Sequence, residues 1–183
     1  MVGLEFYLYE DELWCKTNDG ENFIVDESKK DLIRYILEQI RNYYPEAYSA
    51  LCNIYSKSAL NNEYYQYLMV RRFCKCNFCK LDTTSMDVDP ESKFNFEKVE
   101  CPLRGECPYE SIVCCPKFNS NLSQAELRTM KLLYKGLSVG DVAKELFLSP
   151  NTVRQHMKSV YVKLGVHKIS EFIKYANDRN MFN

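Results

Sequence analysis

Residues 122–166 specify the architecture of the C-terminal third of the chain, and their sequence is LSQAELRTMKLLYKGLSVGDVAKELFLSPNTVRQHMKSVYVKLGV. Three serines in this stretch, Ser123, Ser138 and Ser149, each follow a leucine and precede a segment of helical periodicity. A serine in this place caps a helix, because its hydroxyl accepts a hydrogen bond from the first turn, and an acidic residue three positions later completes a capping box. The pattern predicts helices over residues 124–134, 139–147 and 150–164, and apolar periodicity predicts a fourth over 169–179.

The third of these helices has two chemically different sides when it is drawn at about 100° per residue. One side is apolar and is expected to face the core: Val153, Met157, Val160, Tyr161 and Leu164. The other side carries amides and cations, and no carboxylate occurs anywhere in the helix: Asn151, Arg154, Gln155 and Lys158. Arg and Lys suit the acceptors of guanine and Asn or Gln suits adenine, so this side is predicted to contact base edges in the major groove of double-stranded DNA.

The flank of the same helix and its first turn suit phosphate oxygens, because they offer hydroxyls, amides and bases. His156 on this flank is expected to be a packing or backbone-contact residue rather than a metal ligand. The charge distribution agrees with an anionic partner for this part of the chain. Residues 119–183 hold 10 basic and 5 acidic side chains, whereas residues 1–118 hold 14 basic and 20 acidic ones.

These residues resemble the LuxR/GerE-type DNA-binding domain over about a third of the chain. The shared positions are Leu122-Ser-x-x-Glu126, Gly136-Leu-Ser138, Val142-Ala143, Leu148-Ser-Pro-Asn-Thr-Val153-x-x-His156 and Lys163-Leu-Gly-Val166. The resemblance implies a four-helix domain over residues 119–183 whose third helix binds DNA, often as a homodimer through the last helix. It implies base contacts from Arg154, Gln155 and Lys158. It also implies DNA-backbone contacts from three further residues, Asn151, Thr152 and Lys163.

Two positions depart from that family pattern. Ala125 stands where an Arg usually precedes the first-helix Glu, which removes one charge contact. Lys168 stands where the family commonly has a Ser cap, so the start of the fourth helix and the dimer geometry are less well specified.

Residues 1–73 are predicted to form an N-terminal α+β domain that senses a signal or binds a partner. Aromatic-rich segments at residues 6–9, 13–15 and 23–25 are typical of short strands. Apolar residues recur at helical spacing between Lys29 and Phe73, which predicts about three helices, the last over residues 62–72. The fold class expected for the whole chain is therefore mainly α, of the α+β type.

Residues 74–118 contain seven of the nine cysteines, with a polar, acidic stretch over 81–100 that is expected to be a loop between two ligand clusters. The start of the sequence has no signal-peptide pattern, so metal ligation is favoured over disulfides. Cys76-x-x-Cys79 is predicted to hold an ion from a tight turn, together with residues of the second cluster. The predicted metal ligands are Cys76, Cys79, Cys101, Cys107 and Cys114.

The sequence leaves the identity of the metal open. Zn²⁺ bound by four thiolates is favoured, because structural zinc sites take four such ligands. An iron–sulfur cluster also takes four Cys and would make a redox-sensing regulator. Free thiols without a metal are the third alternative, since the long interval between Cys79 and Cys101 matches no standard zinc-ribbon spacing.

The sequence as a whole predicts a cytoplasmic, sequence-specific transcriptional regulator with a Cys-ligated structural site. The alternative is a metal-bound protein-interaction module or sigma-like factor that acts with RNA polymerase. An enzyme is not expected, because the chain has no phosphate-binding glycine loop and no HExxH, and its two histidines both lie in the DNA-binding segment. No membrane association is expected either, since no apolar run approaches the ~20 residues that span a bilayer.

Overall fold

A computed structural model describes residues 2–78, 80–81, 85–90, 92–179 and 181–182 of the chain. The chain separates into two units, Met1–Lys117 and Phe118–Asn183. Within the described part of the chain, none of the helices combines the length and the apolar character that crossing a membrane requires.

The first unit begins with an antiparallel sheet of three strands in the order β1-β2-β3. These are β1 (Leu4–Tyr9), β2 (Glu12–Thr17) and β3 (Asn22–Ile24). The first two strands meet at a tight turn in which Glu10 and Asp11 both have positive φ, as a two-residue hairpin loop requires. Phe6 lies opposite Cys15, and both are fully buried. The three predicted strands are confirmed, with β1 and β2 longer than expected.

Three helices and a short 3₁₀ turn follow the sheet. They are α1 (Lys30–Tyr43), α2 (Pro45–Ile54) and α3 (Asn62–Asn77), with the turn at Ser56–Ser58. Asn61 caps α3 by accepting a hydrogen bond from the backbone N–H of Tyr64 at 3.4 Å. The helix runs five residues beyond the predicted end at residue 72. Cys76 therefore lies in the last helical turn and not in a tight turn, which corrects that part of the prediction.

Part of the expected polar loop over residues 81–100 belongs to the core. Val88 forms isolated β-bridges with Leu4 and with Phe94, and all three side chains are buried. The ring of Phe94 lies 5.6 Å from that of Phe73 and 5.7 Å from that of Phe78. The described residues of this stretch form no helix or strand, as expected for a loop, but Val88 and Phe94 pack into the core, which irregular apolar spacing does not reveal.

The second unit contains the four predicted helices. They are α4 (Gln124–Tyr134), α5 (Val139–Glu145), α6 (Pro150–Leu164) and α7 (Ile169–Asp178). The α5 helix ends two residues earlier than predicted, and Phe147 just beyond it has φ 55° and is 96% exposed. Gly165 ends α6 in the left-handed conformation at φ 67°, where glycine carries no steric penalty.

The predicted serine caps are present at the first three of these helices. Ser123 forms the full capping box with Glu126. The hydroxyl of Ser138 accepts from the N–H of Asp141 at 3.2 Å, and that of Ser149 accepts from the N–H of Thr152 at 3.0 Å. In α7 the N-cap residue Lys168 makes no side-chain cap hydrogen bond. The start of α7 is therefore less well fixed than the other three.

Candidate nucleic-acid interface and cysteine cavity

The two sides of α6 differ in burial as the helical wheel predicts. Val153 and Val160 are fully buried in a core with Met130, Val142 and Phe172. Three further side chains of the apolar side pack partly against the same core: Met157, Tyr161 and Leu164. The residues of the opposite side are all exposed: Asn151, Arg154, Gln155 and Lys158. The same helix is thus fixed in the protein by one side and open to a partner on the other.

The exposed residues of α6 form one continuous stripe. Positions 151 and 158 are each three or four residues from both 154 and 155, so the four side chains are neighbours on one side of the helix. Seven residues rise about 10 Å along a helix, which is similar to the roughly 12 Å width of the DNA major groove. The stripe has amide donors and acceptors, one guanidinium and one ammonium, and these are groups that distinguish bases by their edges.

A buried carboxylate fixes the position of α6 against α4. Glu126 is 4% exposed, and its oxygens accept from Ser159 Oγ at 2.6 Å and from Lys163 Nζ at 2.7 and 2.9 Å. Glu126 also belongs to the capping box of α4, in which its Oε2 accepts from the backbone N–H of Ser123 at 2.7 Å. Burial alone raises the pKa of Glu126, but hydrogen bonds from Lys163, Ser159 and Ser123 outweigh burial and lower the pKa to about 2.

The remaining predicted DNA contacts sit at the two ends of α6. Thr152 is half-buried in the first turn, and its hydroxyl lies 2.9 Å from that of Ser149. Lys163 in the last turn keeps 41% of its side chain exposed although its ammonium binds Glu126. Sequence reasoning assigned Glu126 to the cap alone. The signal for the second role was the spacing of Ser159 and Lys163, which places both on one flank of α6.

Four of the five predicted metal ligands surround one cavity in the first unit. Its lining includes Cys76 from the end of α3 and Cys101, Cys107 and Cys114 from the segment after it. All four are half-buried free thiols, and the cavity has a volume of about 30 Å³. Cys79, the fifth predicted ligand, lies outside the described residues.

Cations also line this cavity, and one of them was missed by sequence reasoning. Arg72 lies one helical turn before Cys76, and its Nη2 donates to Cys107 Sγ at 3.9 Å. Burial raises the pKa of Cys76 to about 11, with the three other thiols adding to the rise and Arg72 opposing it. As they stand, the described His, Cys, Asp and Glu side chains include no group of three or more that could hold a metal ion.

Comparison with known proteins finds a family match within the second unit. Residues 120–176 match the family model described as "Bacterial regulatory proteins, luxR family". The chain is 44% identical over 55 residues to the fimbriae Z protein of Escherichia coli K12, which is 30% of this chain and 26% of that protein. It is 46% identical over 59 residues to a putative HTH-type transcriptional regulator of Mycobacterium tuberculosis H37Rv, 32% of this chain and 7% of that protein.

A third relative is the CsgBAC operon transcriptional regulatory protein of Escherichia coli K12. It is 28% identical over an alignment of 88 residues, and the alignment covers 42% of this chain and 41% of that protein. The chain thus covers well under two thirds of the length of each of these relatives, and no solved structure matches it. The serine caps, the four helices and the family match agree, and residues 120–176 of this chain are a helix-turn-helix domain of the LuxR family.

Proposed function

We propose that this protein is a sequence-specific DNA-binding transcriptional regulator that inserts α6 into the major groove. The observation that carries the proposal is the exposed stripe of Asn151, Arg154, Gln155 and Lys158 on a helix without carboxylates. A helix that is anchored by one side and presents amides and cations on the other is the arrangement by which helix-turn-helix domains contact base edges. The relatives named as transcriptional regulators support the same role.

The two ends of α6 would hold the helix on the DNA backbone. Asn151 and Thr152 lie in the first turn, where the positive end of the helix dipole favours a phosphate; the N–H of Thr152 itself donates to Ser149 Oγ, so its hydroxyl and the Asn151 amide would supply the contacts. Lys163 has three N–H donors, of which two bonds go to Glu126, so one donor is left for a phosphate oxygen. The excess of basic over acidic side chains in residues 119–183 adds a sequence-independent attraction to DNA.

The dimer through α7 and a cytoplasmic location follow from the same proposal. Many helix-turn-helix proteins bind two half-sites as symmetric dimers, and the resemblance assigns the contact between subunits to the last helix. Analytical ultracentrifugation of the chain with and without its DNA site measures this directly.

Selection of bound sequences from a random DNA pool with the purified full chain tests the proposal. Arg154→Ala, Gln155→Ala and Lys158→Ala should each weaken binding to the selected site by about 1–3 kcal/mol, and weaken binding to random DNA much less. Lys131→Ala is the matched control, because it removes an exposed lysine of α4 that lies outside the stripe.

The other outcomes separate this proposal from its alternatives. A Lys158→Ala variant that loses equal affinity for both DNAs would make Lys158 a phosphate contact. Binding that requires added RNA polymerase would favour the sigma-like alternative. If the pool yields no enriched sequence, either with the chain alone or with added RNA polymerase, the proposal is wrong.

A further inference from the structure

We propose that Cys76, Cys101, Cys107 and Cys114 together bind one Zn²⁺ ion as a four-thiolate site in the first unit. This site is independent of the DNA-binding stripe and goes beyond the proposed regulatory function. Zinc in structural sites takes four Cys in a tetrahedron at about 2.3 Å. The four thiols come from two separated parts of the chain, the end of α3 and the segment 101–114, so an ion between them would cross-link the two.

The other described cysteines occupy different environments. Cys15 and Cys74 are fully buried in the apolar core, and Cys115 is exposed. Cys52 lies on α2, with its sulfur 3.9 Å from that of Met69. Buried cysteines of this kind behave as small apolar side chains. The four cavity thiols differ from all of these, because they are half-buried and line the same small space.

The segment 101–115 has little apolar core of its own, although Glu110 accepts from the N–H of Gly105 at 2.6 Å and pairs with Arg104. It consists of consecutive turns, and Val113 is the one residue in it that is buried. Ordering the backbone of a residue costs about 1–2 kcal/mol, which buried apolar area normally offsets. Two residues of this segment, Ser111 and Cys115, also have positive φ, which non-glycine residues rarely adopt. A metal cross-link is the usual way in which such a core-poor segment is held.

The end of α3 is already joined to this segment beside the cavity. Asn77 is fully buried, and its Nδ2 donates to the carbonyl of Phe73 at 2.9 Å and to that of Val113 at 2.8 Å. Its Oδ1 accepts from the N–H of Cys115 at 2.7 Å. These bonds fix the chain on both sides of the site, next to Cys76 and next to Cys114. The two parts of the chain that carry the ligands are therefore held beside each other before the ion binds.

The charges around the cavity match an anionic thiolate site. Four thiolates and one Zn²⁺ carry a net charge of about −2. Arg72, Arg104 and Glu110 line the same cavity, and because Arg104 Nη1 lies 3.6 Å from Glu110 Oε1, Arg72 is the lining cation that has no carboxylate partner among these residues. The Nε–H of Arg72 is buried and has no hydrogen-bond partner among the described residues. The N–H of Ser111 donates to Cys114 Sγ at 3.4 Å. Such donors to sulfur are the outer partners that metal thiolates require.

The size of the cavity favours a single ion. Its volume of about 30 Å³ gives room for one ion between the four thiols. Because the described thiols do not form a ready ligand set at their present positions, binding must draw the sulfurs inward. The segment 101–114 has few core contacts that oppose this movement. Each thiol that is protonated beforehand releases its proton to solvent as the Zn–S bond forms.

Metal analysis of the full chain by mass spectrometry, combined with single Cys→Ser variants, tests the site. We expect one zinc per chain, and loss of the ion in Cys76→Ser, Cys101→Ser, Cys107→Ser and Cys114→Ser. Cys115→Ser and Cys52→Ser are the matched controls and should keep zinc. Arg72→Gln should keep the stoichiometry but weaken zinc affinity by about 10–100-fold, as expected for an outer partner.

A second measurement needs no substitution and so does not depend on the folding of any variant. Co²⁺ added to the chelator-treated chain should give the intense visible spectrum of a tetrahedral thiolate site, and Zn²⁺ should displace it. A colourless cobalt complex would overturn the proposal. Zinc loss from Cys115→Ser or Cys79→Ser would overturn this ligand set. Detection of iron and inorganic sulfide in protein purified without oxygen would overturn the zinc proposal in favour of an iron–sulfur cluster.

Discussion

The helices of the second unit start on side chains that are their neighbours in sequence, whereas the core of the first unit joins side chains far apart along the chain. Ser123, Ser138 and Ser149 each cap a helix within three residues. In the first unit, Leu4 pairs with Val88, and Phe73 packs against Phe94. Local signals of the first kind are visible in a single sequence. Long-range packing of the second kind is not, because nothing near Phe94 in sequence indicates its partners.

The largest expected effect tests whether the irregular stretch around Phe94 contributes to the core of the first unit. Phe94→Ala should lower the free energy of unfolding by about 4 kcal/mol, because it removes a 5% exposed ring that packs against four others. The one tryptophan of the chain, Trp14, lies in β2, so its fluorescence during urea unfolding reports on this unit.

Phe147→Ala is the control for that experiment, since it makes the same substitution at a ring that is 96% exposed in the second unit. Its effect should stay within about 0.5 kcal/mol. If the two variants unfold at the same urea concentration, Phe94 does not contribute to the core, and the contrast between the units disappears.

The second prediction concerns the buried long-range polar link of the second unit, from Glu126 to Ser159 and Lys163. Glu126→Gln should destabilise that unit by about 2 kcal/mol, because it weakens hydrogen bonds to a charged, buried group. Hydrogen–deuterium exchange in peptides from residues 118–183 of the full chain measures the loss locally. Glu145→Gln, an exposed carboxylate at the end of α5, should leave exchange unchanged.

The same carboxylate makes the stability of the second unit depend on pH. The pKa of Glu126 falls from its ordinary value of 4.5 to about 2 in the folded chain, so folding favours the ionised form. Its contribution is complete above pH 4.5 and is lost as the pH falls from 4.5 toward 2. Thermal unfolding followed by circular dichroism should show a smaller acid dependence for Glu126→Gln than for the unmodified chain. Equal acid dependence would mean that Lys163 does not hold this carboxylate.

Features that depend on residues close together in sequence could be predicted, and features that join distant residues could not. The four helices of the second unit and the outward side of α6 were evident from caps and periodicity, since both depend on residues within one or two turns. The role of Glu126 toward Ser159 and Lys163 was not, because it joins two helices. In the first unit, the extension of α3 to Asn77 was missed because the helix continues through cysteines that suggest a turn. That extension is what places Arg72 and Cys76 on successive turns at the cavity.

The smallest expected effect sharpens the comparison within the second unit, because α7 is the one helix there that begins without a side-chain cap. Lys168 has φ −149° and ψ 162°, an extended conformation that a capping residue adopts. Lys168→Ser should therefore stabilise α7 by about 0.5–1 kcal/mol. The exposed ion pair that it removes, from Lys168 Nζ to Glu171 Oε1 at 3.6 Å, contributes little.

Lys168→Ala separates the two contributions, since it removes the same ion pair without adding a hydroxyl. Slower hydrogen exchange in α7 for the Ser variant than for the Ala variant measures the cap alone. Equal rates would show that the existing bond from the N–H of His167 to Glu171 Oε2, at 2.8 Å, already holds the start of the helix. In that case α7 would have its own local start signal, carried by an acid inside the first turn instead of a hydroxyl before it.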